Sequence, residues 1–407
     1  MIAFLRENFR WLSAGALLAF LSSFGQTYFI SLFAGEIRAE FGLSHGQWGG
    51  IYTLGTTASA VVMIWAGVLT DKFRVRVLGA AVLGLLALAC LSMSWITSAA
   101  MLPFVIFALR FTGQGMTSHI AVVAMSRWFV ATRGRALSIA TLGFSVGEAF
   151  LPLAFVSLLT IFDWRSLWLG AAIIALAGIP ILTKLLTHER TPQSMVNENP
   201  STGMNGDHWT RPQVLAHRLF WFMIPALLGP SAFGTAFFFH QVHFAAIKEL
   251  SHITLVSLFP LFTTVAIGAM VLSGWALDKF GTARLLPFSQ LPMVLAFVVF
   301  AYANSVFGVA LGIILFALTS GANATLPNAF WAEFFGTRHL GAIKSMATAI
   351  MVLGSAIGPG LTGLLIDQGI ALDTQYFGVA AYFIFTSLMM WLGIRCARSA
   401  LPSRAGA

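Results

Sequence analysis

Gly67-Val68-Leu69-Thr70-Asp71-Lys72-Phe73-Arg74-Val75-Arg76 recurs as Gly274-Trp275-Ala276-Leu277-Asp278-Lys279-Phe280-Gly281-Thr282-Ala283-Arg284. The two aspartates stand about half of the 407-residue chain apart, so the sequence reads as two copies of one unit. Each copy is a short charged interruption between long apolar runs. With 58% hydrophobic and 9% charged residues, the chain cannot clothe a soluble globule in polar surface. Uncharged runs such as 77–96, 167–182 and 305–318 approach or reach the roughly 20 residues a helix needs to cross a bilayer core.

Continuous apolarity without period-2 alternation predicts helices and not barrel strands. Twelve spans are expected near 11–33, 48–69, 77–97, 101–126, 136–161, 166–187, 218–246, 253–277, 285–303, 306–332, 345–367 and 376–396. The fold class is therefore an all-α integral membrane protein, twelve transmembrane helices in two six-helix bundles related by a pseudo-two-fold axis. The net charge of +9 does not mark a nucleic-acid binder, because the basic residues follow loop parity and not one face. Arg6, Arg10, Lys72, Arg74, Arg76, Arg127, Arg133, Arg135, Lys184, Arg190, Arg211, Arg218, Lys279, Arg284, Arg338, Lys344, Arg395, Arg398 and Arg404 fall on one side. Arg38, Arg165 and Lys248 fall on the other. By the positive-inside rule both termini and the long central loop are cytoplasmic. A bacterial inner membrane is the expected location, with no cleaved leader. Cys90 and Cys396 are too far apart in this topology to pair.

Between His188 and His217 polar residues replace the apolar background. That stretch divides an N-terminal bundle, 1–187, from a C-terminal bundle, 218–407, with 188–217 as a cytoplasmic linker too polar to order itself. No Walker loop is present, so ATP is not an evident energy source. No nucleophile, base and orienting partner occur at a recognisable spacing, so enzyme activity, a cofactor and a metal are not expected.

The repeated turn, the six-plus-six layout and the central loop together resemble the major facilitator superfamily over the whole chain. One departure is visible, since Arg74 stands where the pattern usually has glycine, whereas Gly281 is kept. The resemblance implies that Gly67, Asp71, Lys72, Arg76, Gly274, Asp278, Lys279, Gly281 and Arg284 form a cytoplasmic gate. The loop Arg133–Arg135 and the stretch 333–344 are candidate counter-charges. Anchoring at the lipid headgroups explains the cations equally well, but not the recurring aspartates.

Charge inside the bilayer is the sharper signal, because an ionisable group there costs several kcal/mol unless it is paired or meets water. Arg110 and Glu148 lie deep in the fourth and fifth spans at similar heights. Two readings follow. They neutralise one another and brace the bundle, or Glu148 exchanges a proton while Arg110 holds an anionic substrate. Arg110 with Gly113 and Gly115 also resembles the superfamily's fourth-helix motif, linked there to proton coupling or substrate handling. In this family the first, fourth, seventh and tenth spans line the central path, which brings in Gln26, Tyr28, Gln114, His119, Asn323 and Asn328. Each alone is more simply an interhelical hydrogen bond. His240 and His243 end the seventh span and are expected at an outer gate. The run Gly358-Pro359-Gly360 resembles the antiporter motif of drug exporters, but it lies in the eleventh span. The fifth reads Gly143-Phe144-Ser145-Val146-Gly147-Glu148.

The expected function is secondary active transport by alternating access. The cargo is expected to be a small anionic metabolite, mono- or dicarboxylate-like, coupled to protons or to anion exchange. Efflux of amphipathic compounds is the alternative, and a non-transporting receptor or a channel is a different class with less support. The partners are the small molecule, protons or a counter-ion, and the lipid bilayer. A monomer is expected.

Overall fold

The computed structural model describes residues 2–129, 132–188 and 202–401, with the side chains of Ile2, Ala3, Asp71 and Arg133 outside that description. Among the described residues the regular structure is entirely helical. Eleven helices are long and apolar enough to cross a bilayer, and the bent pair Phe4–Gly25 and Thr27–Phe41 supplies a first span ahead of them. The second to sixth spans are His45–Ala66, Val75–Ser94, Ala99–Trp128, Arg135–Leu158 and Trp164–Leu185. The seventh to twelfth are Arg218–Phe239, His252–Phe280, Thr282–Tyr302, Val306–Phe335, Ala342–Asp367 and Leu372–Ala400. The protein is a multi-pass helical membrane protein.

Two spans depart from their expected form. The first bends by 47°, because Gln26 is extended (φ −83°, ψ 152°) after the short 3-10 turn Ser22–Gly25. Ser22 Oγ donates back to the Ala19 carbonyl at 2.7 Å, a local bond that competes with a regular helix. The seventh stops at Phe239, His240 is a turn, and Gln241–Ile247 is a separate helix.

The chain packs as two units. One holds Met1–Asn197 with Phe238–His243 and Ser251–Phe259, and the other holds Glu198–Phe237 with Phe244–Leu250 and Pro260–Ala407. In the first unit a Cβ on Gly143 of the fifth span would lie 2.0 Å from the Ala16 carbonyl oxygen of the first. In the second unit a Cβ on Gly358 of the eleventh span would lie 2.1 Å from the Ala232 carbonyl oxygen of the seventh. The same helix crossing thus occurs twice, and each needs a residue with no side chain. Gly358 is the repeat's counterpart of Gly143, which accounts for a glycine-rich run in the eleventh span.

Inside the second unit one freed backbone carbonyl is satisfied by a side-chain relay, as a bilayer demands. Pro230 lacks the N–H that would bond the Ala226 carbonyl. Gln290 Nε2 donates to that carbonyl at 2.6 Å, and Thr386 Oγ1 donates to Gln290 Oε1 at 2.6 Å. The cations on the sparsely basic side are also engaged. Arg165 pairs with Glu40 at 2.5 Å and donates to the Ser94 carbonyl. Lys248 meets Asp373 at 2.8 Å and the Ala301 carbonyl at 3.0 Å. Arg38 Nε donates to the Leu43 carbonyl at 3.2 Å.

The central linker is more ordered than its composition implies. Residues 189–201 lie outside the described residues, but 202–217 fold onto the second unit. Met204 and Val214, 1% and 0% exposed, join a core with Phe334, Phe335, Leu219 and Ile343. The Trp209 amide donates to the Phe335 carbonyl at 3.1 Å, and Thr210 with Gln213 forms a capping box on helix Arg211–Ala216. Burying Met204 and Val214 stabilises the docked segment by about 2 kcal/mol each. Average polarity hid these two apolar anchors.

Candidate functional site

The first span breaks at Ser22–Gln26, and the fourth carries a π-helix, Arg110–Thr117, in mid-span. π segments are rare and concentrate at functional sites. The two irregularities touch: a Cβ on Gly113 would lie 2.6 Å from Gly25 Cα, and one on Gly25 would lie 2.1 Å from the Leu109 carbonyl oxygen. Only a glycine pair allows the backbones this close. The contact brings Arg110 against the carbonyl that the break exposes.

Arg110 is 2% exposed. Its Nη1 donates to the Gly25 carbonyl at 3.2 Å and to Thr27 Oγ1 at 3.3 Å. Thr27 Oγ1 shares a 2.5 Å hydrogen bond with Tyr52 Oη, and the Tyr52 ring lies 5.3 Å from the guanidinium carbon. Every one of these partners is neutral. Nε is buried without a hydrogen-bond partner, and no bond to Nη2 or to a carboxylate is formed among the described residues. The guanidinium therefore presents its Nε–Nη2 edge, the fork that matches a carboxylate, with its charge unneutralised.

Glu148 also lies beside the broken span. Its carboxylate acts electrostatically on the Tyr28 hydroxyl, Tyr28 packs on Phe144 at 5.8 Å, and Gly147 presses on Ser23 Oγ. Ser23 Oγ and the Tyr28 hydroxyl are buried side by side and interact with each other. Arg110 and Glu148 thus flank one helix break, each with its own neighbours.

The remaining expected residues divide. Gln26 is the extended residue of the break and is 9% exposed. Gln114 lies in the π segment, and its amide nitrogen sits where a Gly25 side chain would be. His119 does not join them; its Nε2 lies 3.5 Å from where a Gly67 Cβ would stand, beside the charged turn. Asn328, in the second unit, bonds its own helix at the Ala324 carbonyl, and Asn323 is half-buried in the same helix. His240 and His243 meet a histidine the sequence reading missed: the His45 ring lies 4.3 Å from His243 and 6.0 Å from His240. Thr27, Tyr52, Ser31 and Gln241 were missed as well. For Thr27 and Ser31 the signal was polarity next to Gly25 and Gln26, visible only once the span breaks there; Tyr52 and Gln241, on other helices, carry no such local signal.

In the two charged turns, Lys72, Arg74, Arg76, Asp278, Lys279 and Arg284 are exposed, and the Asp71 side chain lies outside the described residues. Gly281 has φ 76°, a conformation glycine supplies, whereas Arg74 passes with an ordinary φ of −65°. Asp278 makes no hydrogen bond or ion pair among the described residues. The anion that does act there is Glu333, which accepts from the Thr282 amide at 3.3 Å and from Thr282 Oγ1 at 2.5 Å.

A family model of the major facilitator superfamily matches residues 15–359. The chain belongs to the major facilitator superfamily. Solved superfamily structures share its fold. It is similar to a bacterial homologue of the human lysosomal transporter Spinster, at 16% identity over 97% of this chain and 98% of that one, with a TM-score of 0.70. A D-xylose–proton symporter matches at 13% identity, 97% and 98% coverage and a TM-score of 0.73. The human organic anion transporter MFSD10 matches at 13% identity, 94% and 99% coverage and a TM-score of 0.62. No curated protein matches the chain in sequence. By family and fold this superfamily member is a membrane transporter.

Proposed function

We propose that the protein carries a small organic anion, a mono- or dicarboxylate, by alternating access, with Arg110 as the anion-binding residue and Glu148 as the proton-exchanging group. The carrying observation is the buried, unneutralised guanidinium with its Nε–Nη2 edge unbonded. A charge left so in a bilayer is costly unless a ligand supplies the counter-charge. A carboxylate laid on that edge makes two parallel, charge-assisted hydrogen bonds. Glu148, close to the Tyr28 hydroxyl on the same broken helix, gains or loses its proton as the anion leaves or arrives. Anion exchange is the form this takes when the glutamate keeps its proton. The fold supports both tasks, since its solved neighbours include an organic anion transporter and a proton symporter. The inner membrane of a bacterium, with cytoplasmic termini, is the setting that the charge bias supports.

Thermal-shift titration of the purified protein with a panel of carboxylates tests the reading. Carboxylates are expected to raise the midpoint of wild type, and Arg110→Lys, which keeps the charge but loses the fork, to weaken binding by about ten- to a hundredfold. Equal shifts in both proteins remove Arg110 from the site.

A further inference from the structure

Gln241 is 0% exposed. Its Nε2 donates to the Tyr28 carbonyl at 3.0 Å and to Ser31 Oγ at 2.7 Å. Neither acceptor permits the amide to be turned round. A carbonyl only accepts, and Ser31 sends its own hydrogen to the Thr27 or Phe238 carbonyl, each at 2.7 Å. Oε1 is therefore fixed on the far side, buried and without a donor. Ser31 follows by four residues Thr27, the residue that holds Arg110. Gln241 thus stands one helical turn, about 5 Å, beyond the guanidinium along the first span. Two unfilled groups of opposite character, a cationic fork and a neutral acceptor, are thus held by neighbouring turns of the first span.

We infer that the carboxylate held at Arg110 bears a hydroxyl, and that Gln241 Oε1 accepts the hydrogen bond from it, so that the cargo is a short hydroxycarboxylate. The inference rests on the anion reading and narrows it. An unpaired buried acceptor is unfavourable, and it persists where a ligand completes it. A hydroxyl suits the position better than an ammonium, because a second cation beside Arg110 requires a carboxylate partner and Gln241 is neutral. An acid without the hydroxyl leaves Oε1 orphaned, which typically weakens binding by about ten- to a hundredfold.

Matched acids make the test: lactate against propionate, 3-hydroxybutyrate against butyrate and malate against succinate, each titrated by thermal shift into wild type and Gln241→Leu. In at least one pair the hydroxylated acid is expected to bind wild type at least about tenfold more tightly. In Gln241→Leu the members of that pair are expected to become equal. Equal binding of both members of every pair by wild type overturns the hydroxyl inference and leaves the anion reading standing. Full discrimination retained in Gln241→Leu removes Gln241 from the role. Failure of every acid to bind wild type overturns both readings. The wild-type comparison decides the question even if the variant does not fold.

Discussion

Arg110 and Glu148 are both legible as unusual residues, because charge in an apolar run stands out in any sequence, but their neighbours are not. The helical spacing of adjacent spans permits them to meet, whereas the structure gives Arg110 the Gly25 carbonyl, Thr27 and Tyr52, and sets Glu148 beside Tyr28. The break in the first span supplies Arg110 with backbone and hydroxyl partners that no periodicity announces. On the proposed reading the two side chains have separable tasks. Glu148→Gln is expected to abolish accumulation driven by a pH gradient while preserving exchange of one anion for another, since it removes the proton and not the anion site. Accumulation undiminished in that variant shows that the glutamate does not couple transport to protons.

Helices carry the second layer of the argument. Span number and approximate position follow from hydropathy, and the structure moves the ends by several residues and breaks the first and seventh. The glycines that matter were visible without their purpose: Gly143 and Gly358 mark one helix crossing in each unit, and Gly25 with Gly113 mark a backbone contact between two irregular segments. The docked segment 202–217 was the least legible, because two buried side chains outweigh a polar average. His217 gives it a pH response. Burial, aided by the charge of Arg218, holds its imidazole below the usual histidine range, and Nδ1 accepts the Leu219 amide at 3.2 Å. Folding of this segment therefore favours the neutral ring. Its stabilisation is complete above the unfolded value near 6.5 and is lost as pH falls below it. Limited proteolysis between His188 and His217 is expected to accelerate on going from about pH 7.5 to 5.5, and His217→Phe to flatten that dependence. An unchanged cleavage rate in wild type argues against the docked segment as pH-sensitive.

The whole molecule is a duplicated machine with an unduplicated centre. The turns at Asp71 and Asp278 and the crossings at Gly143 and Gly358 repeat, whereas Arg110, Glu148 and the π segment belong to the first half alone. Duplication in the sequence was enough to give the family and the helical plan, because both depend on spans and turns that hydropathy and charge record. On the proposed reading, specificity lies in the asymmetric part, where it depends on which carbonyl a break exposes and which edge of a guanidinium stays unbonded. On that reading this edge holds the cargo's carboxylate as it crosses the bilayer. Uptake of a radiolabelled hydroxycarboxylate into proteoliposomes, with a pH gradient imposed, tests it most directly. Wild type is expected to show saturable uptake and Arg110→Gln, equally well inserted, to lose it by about a hundredfold or more; saturable uptake of the same anion by Arg110→Gln at the wild-type rate contradicts the account.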